Sequence, residues 1–207
     1  MLTLLTKYPK KMKILNLYAG IGGNRKLWGE EHEITAVENN PHIAAIYKDL
    51  FPKDKVIIGD AHEYLRLHYK EFDFIWSSPP CPTHSRMCFS FGNRERKYPS
   101  MILYEEIIFL THWFKGKWVV ENVRSYYEPL IEPQERGNHY FWSNFKIGNF
   151  DEIRPKVRND VGQTFAVKAK LWGIEIKDFH GFKGDKRTLI NNCVINKLGL
   201  HILNQIK

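Results

Sequence analysis

The sequence predicts an α/β protein of Rossmann-like design, a mostly parallel sheet flanked by helices, and three observations carry that expectation. Short apolar runs alternate with amphipathic segments through the first two-thirds of the chain. Each run ends in glycine or polar residues, as expected where the carboxyl ends of parallel strands assemble a ligand site. With 207 residues, 43% of them hydrophobic, and no low-complexity stretch, the chain can bury the core of one soluble domain.

The first strand is expected over Ile14–Tyr18, running into Ala19-Gly20-Ile21-Gly22-Gly23. The second, Ile34–Val37, ends in Glu38. Asn39-Asn40-Pro41 then supplies an N-cap and a first-turn proline for a helix over Pro41–Leu50. Val56–Ile58 is the third strand, ending in Gly59-Asp60 before a helix from Ala61 that places Tyr64, Leu65 and His68 on one face. Phe72–Trp76 is the fourth and enters Ser77-Ser78-Pro79-Pro80-Cys81. After a polar stretch over 82–99, Ser100 is the expected cap of a helix to Phe114, and Trp118–Val120 is a fifth strand ending in Glu121-Asn122-Val123. Beyond Pro133 the periodicity weakens. Tyr140–Trp142 reads as a strand, Thr164–Val167 as the one clear element of 149–184, and Lys197–Ile206 as a final helix.

Charge and composition narrow the class. Lys+Arg total 31 against 23 Asp+Glu, a net charge of +8 that suits an anionic partner. The longest apolar runs, such as Ile107–Leu110, fall far short of the roughly 20 residues a membrane span needs. The first apolar residues precede the first lysines, the reverse of a secretory leader, so a cytoplasmic protein with no membrane partner is expected. Cys81, Cys88 and Cys193 form no Cys-x-x-Cys and the nine histidines show no zinc-site spacing, so neither a disulfide nor a metal is expected.

The strand ends suggest chemistry. Gly20-x-Gly22-Gly23 lets backbone approach a ligand closely, although a tight strand-to-helix turn needs glycine with no ligand at all. Glu38 stands where a carboxylate can take two ribose hydroxyls, and Asp60 where one can reach an adenine amino group; solvated loop acids are the plainer alternative. Two prolines stiffen the approach to Cys81, and Arg86, Arg94, Arg96 and Lys97 follow it; a cationic setting favours the nucleophilic thiolate. A lone cysteine is otherwise a small buried hydrophobe. The carboxylate of Glu121 at the next strand end tips the balance towards a site.

These residues, in this order, resemble the cytosine C5 DNA methyltransferase family, which uses S-adenosylmethionine. Asn16-Leu17-Tyr18-Ala19-Gly20-Ile21-Gly22-Gly23 looks like its first motif, usually begun by Asp. Glu38 and Asp60 stand where the second and third carry their cofactor acids. Ser78-Pro79-Pro80-Cys81 is similar to the catalytic Pro-Cys motif, Glu121-Asn122-Val123 is identical to the family's Glu-Asn-Val, and Asn191-Asn192-Cys193-Val194 resembles the last motif. The resemblance runs from about Lys13 to Ile206. It implies that Tyr18, Ala19, Gly20, Ile21, Gly22, Gly23, Glu38, Asn39, Asp60, Ala61, Pro79, Asn192 and Val194 bind S-adenosylmethionine. It also implies that Cys81 attacks cytosine C6 and Glu121 acts on N3, while Asn122 and Pro80 hold the geometry. Double-stranded DNA is the implied partner and a monomer the expected state.

Two departures stand out. The family's Gln-x-Arg-x-Arg appears as Gln134-Glu135-Arg136-Gly137-Asn138-His139, so Arg136 is either a catalytic cation or a structural surface cation, and His139 fills the missing place if the register shifts by one. The implied division is a catalytic part over 1–145, a short target-recognition segment over 146–185, and a strand and helix over 186–207 that return to the cofactor pocket. From Lys146 to Arg187 ten Lys/Arg face six Asp/Glu, which suits phosphate contacts or a solvated loop. A tRNA cytosine methyltransferase and a catalytically silent nucleic-acid binder are the alternatives. An NAD-binding oxidoreductase would leave Pro80-Cys81 and Glu121-Asn122 without a role.

Overall fold

The computed structural model describes residues 11–86, 98–150, 165, 169–170 and 172–206. Its strands are β1 (Lys13–Leu17), β2 (Glu33–Glu38), β3 (Lys55–Ile58), β4 (Phe74–Ser77), β5 (Lys117–Val123), β6 (Gln134–Arg136) and β7 (His139–Ser143), in the sheet order β3-β2-β1-β4-β5-β7-β6. The first five are mutually parallel, and β7 runs antiparallel to both β5 and β6. The helices are α1 (Pro41–Leu50), α2 (Ala61–His68), α3 (Ile102–Trp113), α4 (Lys186–Asn191) and α5 (Asn196–Asn204).

Alternation along the central strands feeds two cores, which is why these strands read as continuous apolar runs. Leu15, Leu17, Ile75 and Val120 face α2 and α3, packing with Leu65, Leu103, Ile107 and Leu110. Ile14, Phe74, Trp76 and Val119 face the other way, onto Trp28, Phe141 and the α5 residues Leu198, Ile202 and Leu203. The result is a three-layer α/β/α arrangement with the strand carboxyl ends gathered along one edge.

The helix starts follow local capping chemistry. Asn40 Oδ1 accepts the backbone N–H groups of His42 and Ile43 at 3.0 and 3.3 Å, with Pro41 in the first turn as expected. Asp60 Oδ1 caps α2 by accepting from Glu63 N at 2.8 Å. α3 begins later than expected. The backbone N–H of Ser100 donates to Thr83 Oγ1 at 3.1 Å, which ties that residue to the loop after Cys81, and Met101 takes the cap position without a side-chain bond.

Three other expectations change. Trp118–Val120 is only the middle of β5, because pairing with β7 extends it through Glu121, Asn122 and Val123. β6 lacks the apolar alternation that marks a strand and is held by its hairpin with β7. The strand implied within 186–207 is instead the short helix α4, capped by Asp185, followed by a turn and α5. Thr164–Val167, apart from Phe165, lies outside the described residues, as does most of 146–185 between Asp151 and Leu171.

A buried network braces the turn after β1. The Arg25 guanidinium forks onto Asp54 at 2.9 and 3.1 Å, and Tyr47 Oη donates to the same carboxylate at 2.8 Å. Asn24 Nδ2 donates to Asn16 Oδ1 at 2.8 Å, joining the turn to the strand before it. Replacing Asp54 with Ala strands the buried guanidinium. The expected loss is about 3–5 kcal/mol of unfolding free energy, read from the shift in urea midpoint at unchanged slope.

Candidate active site

Two groups of residues meet where β1 and β4 lie side by side. On the β1 side the backbone turns through left-handed positions at Tyr18 (φ 55°), Gly20 (φ 54°) and Gly22 (φ 77°). The glycines do different work. A Cβ on Gly22 would strike the rings of Tyr47 and Phe51, and one on Gly23 would lie 2.4 Å from Cys193 Cβ, so those two serve close packing. A Cβ on Gly20 would meet nothing within 4 Å, so its backbone borders open space.

Glu38 is buried at the end of β2, with Oε2 accepting from Gly20 N at 3.0 Å and Oε1 from Asn40 N at 2.9 Å. The carboxylate is thereby oriented across the glycine turn and keeps acceptor capacity for hydroxyls. Asp60 is exposed at the end of β3, next to Gly59, which has open space above it, and Ile58, which is 61% exposed. An oriented acid, an open backbone, an exposed aliphatic face and a second acid fit the ribose and purine of S-adenosylmethionine. Ala19, Ile21 and Ala61 are buried, so they support this wall from behind, whereas Asn39 stands exposed beside it. Val194 is buried with Trp28 and Leu198, and Asn192 ends α4; the segment between them closes on Gly23.

On the β4 side, Asn122 Nδ2 donates to the Pro79 carbonyl at 2.9 Å, fixing the Pro79-Pro80-Cys81 loop to the end of β5. Beyond the thiol, the N–H groups of His84 and Ser85 both donate to the Cys81 carbonyl, at 2.9 and 3.0 Å, and fold the chain into a turn. The Tyr126 N–H donates to the His84 carbonyl at 3.1 Å, so the turn is also anchored after β5. His84 is buried with its Nδ1 2.5 Å from Tyr127 Oη, and burial pushes its pKa down, which keeps the imidazole neutral.

Glu121 is buried one residue before the tether. Burial pushes its pKa up, opposed by His139, whose Nε2 lies 3.7 Å from Oε1, and by a hydrogen bond from Ser78. The direction of that bond is set by Trp76, whose indole N–H donates to Ser78 Oγ at 2.9 Å and leaves the hydroxyl proton for the carboxylate. Ser78 was in view in the sequence as part of Ser-Pro-Pro-Cys; only the fold gives it this partner. His139 reaches Glu121 because it pairs with Val123 across the β5–β7 ladder, on the same face as Glu121.

Arg136 does not join them. Its guanidinium donates to the carbonyls of Gly148 at 2.9 Å, Glu135 at 2.7 Å and Ile147, so it holds the hairpin to the following chain, the structural reading of its two. Arg86 Nε donates to the Ser125 carbonyl at 3.3 Å, while Arg94, Arg96 and Lys97 lie outside the described residues. Burial pushes the Cys193 thiol up to about 12, which keeps it protonated and inert. No helix among the described residues is long and apolar enough to cross a membrane.

Parallel strands in this order, with a glycine turn and an acid at adjoining strand ends, define a Rossmann-like methyltransferase. The C-5 cytosine-specific DNA methylase family model matches residues 12–129, and the chain belongs to that family, whose methyl donor is S-adenosylmethionine. The match stops short of the C-terminal segment in which a last motif was expected. No curated protein sequence matches the chain. Among solved structures, a hypothetical protein of Thermus thermophilus is 17% identical, with 66% of this chain and 76% of that one covered and a TM-score of 0.45. An S-adenosylmethionine-dependent methyltransferase of Agrobacterium tumefaciens is 15% identical over 58% of this chain and 41% of that one, at 0.43. A DNMT2 mutant of Spodoptera frugiperda is 30% identical over 54% and 35%, at 0.40.

The pKa of Glu121 gives a stability test. An acid raised in the folded state contributes stability that is complete below the usual carboxylate range and lost as pH rises through the raised value. Glu121→Gln is therefore expected to melt at a higher temperature than the parent at neutral pH. The difference should vanish as pH falls below the carboxylate range, as followed by thermal unfolding across pH.

Proposed function

We propose that the chain transfers a methyl group to C5 of cytosine in double-stranded DNA, with Cys81 as nucleophile and Glu121 as the acid acting on the base. The observation that carries this reading is the bond from Asn122 to the Pro79 carbonyl, which fixes the nucleophile's loop to the strand end bearing Glu121. C5 of cytosine is a poor nucleophile until C6 is covalently loaded. Cys81 Sγ forms a bond to C6, the electron pair of the C5–C6 double bond is released towards N3, and Glu121 supplies the proton held there. S-adenosylmethionine, when bound, supplies an electrophilic methyl group beside C5. C5 takes that methyl with the electron pair returned from N3, the N3 proton goes back to Glu121, and water takes the C5 proton, whose bonding pair re-forms the C5–C6 double bond and expels Cys81 as thiolate.

The surroundings suit these roles. Burial shifts Glu121 towards its protonated, proton-donating form, and Ser78 and Trp76 hold it in one orientation. His139 brings an imidazole within 3.7 Å of the same carboxylate, where it can meet the edge of the base. A duplex substrate requires the target nucleotide to rotate out of the stack, at a cost of a few kcal/mol. Net charge of +8 supports phosphate binding in DNA or RNA alike.

Nucleoside mass spectrometry after incubation with S-adenosylmethionine and either mixed-sequence duplex or tRNA tests the reading. New 5-methylcytosine is expected in the DNA and absent with Cys81→Ala, and a duplex carrying 5-fluorocytosine should trap a covalent adduct. Methylation confined to tRNA would move the substrate to RNA, and unimpaired transfer by Cys81→Ala would remove the thiol from the mechanism.

A further inference from the structure

Glu106 on α3 is 0% exposed, yet it lies among the apolar residues Leu103, Ile107 and Leu110. Its carboxylate accepts from Tyr18 Oη at 2.6 Å, is hydrogen-bonded by Ser77 Oγ, and lies 3.2 Å from His62 Nδ1. Those partners come from the turn after β1, the end of β4 and the first turn of α2. Burying a carboxylate is strongly unfavourable unless its lone pairs are filled, and a leucine here would pack with no such cost. Tyr18 itself sits in the left-handed region at φ 55°, a conformation that a non-glycine residue keeps only when its surroundings hold it.

We propose that Glu106 is a positioning residue for the methyl-donor crevice, clamping the Tyr18 turn and the end of β4 on its two sides, with His62 setting the strength of the clamp. This rests on S-adenosylmethionine as the donor. Tyr18 and Ser77 belong to adjacent strand ends, and Gly20, whose backbone borders the crevice, comes two residues after Tyr18. One carboxylate therefore fixes the spacing between the donor's wall and the loop leading to Cys81.

The groups facing His62 are Glu106 and Glu105 from α3, the latter 3.1 Å from Nε2; Tyr18, from the turn after β1, shares Glu106 with it and feels the charge of Asp60, the cap of α2. The hydrogen bond to Glu106 raises the His62 pKa most, and both acids add to it. The charged clamp is thus complete at lower pH and weakens as pH rises through the raised value. Tyr18 is pushed far above the ordinary phenol range by burial and Glu106, so it stays a donor throughout.

Calorimetric titration with S-adenosylmethionine, and separately with S-adenosylhomocysteine, tests this on the whole chain. Glu106→Gln and Tyr18→Phe are each expected to raise both dissociation constants about tenfold, the loss typical of a hydrogen bond to a charged group. From about pH 6 to about pH 9, the histidine range and beyond, wild-type affinity should fall relative to His62→Gln, which supplies the baseline for the donor's own amino group. If Glu106→Gln does not fold, Tyr18→Phe and the His62→Gln profile carry the decision. Dissociation constants within twofold of wild type in the folded variants, superimposable pH profiles, or no donor binding by the wild type would each overturn the proposal. Binding is read without turnover, so a chain that binds the donor and methylates nothing would defeat the proposed function and leave this inference standing.

Discussion

The pairing of β1 with β4 organises everything that follows. β2 and β3 extend the sheet from one side of β1, and β4 and β5 from the other, so the chain leaves these two central strands towards opposite layers. The turn after β1 passes to the layer of Trp28, and the loop after β4 leads to α3 on the far face. Between them opens the crevice that such a reversal always leaves at the strand ends. A donor wall and a nucleophile loop can then share one cleft without sharing a segment of chain.

The polar groups around that cleft are buried at a cost the rest of the core must offset. Glu38 is held by two backbone amides, Glu121 by Ser78 and the nearby imidazole of His139, and Glu106 by donors from three elements. Each carboxylate orients a loop that has no regular structure of its own. Hydrogen bonds of fixed direction can do this where apolar contacts cannot, because dispersion has little orientational preference.

Much of this was legible in the sequence, for reasons that can be traced to particular residues. β1, β2, β4 and β5 announce themselves because both their faces are buried, edge strand β3 is marked by its short apolar run Val56–Ile58, and Asn40 and Pro41 place α1 to the residue. Glu38, Asp60, Cys81 and Glu121 stand out in the sequence because each lies at or just past a strand end, where a ligand site assembles. Arg136 stays ambiguous in the sequence, since a cation in a familiar motif looks the same whether it meets a substrate or three main-chain carbonyls. Glu106 was invisible for the opposite reason: on an apolar helix it reads as a solvent-facing acid, and its partners Tyr18, Ser77 and His62 are scattered along the chain. β6 and α4 are short and weakly patterned, and tertiary contacts, not local preference, decide them.

The close fit of the C-terminal helices against the turn after β1 has a consequence for how the molecule is made. Gly199 brings the backbone of α5 against the Asn24 carbonyl, and Gly23 admits Cys193. A ribosome delivers β1 and its glycine turn early, long before α4 and α5 leave the exit tunnel. Until then the turn has its strand neighbours but not its cover, and Trp28 and Ile14 lack the apolar surface that later buries them. The sheet strands therefore precede the cover of the glycine turn in synthesis, and the seating of that turn waits on α4 and α5.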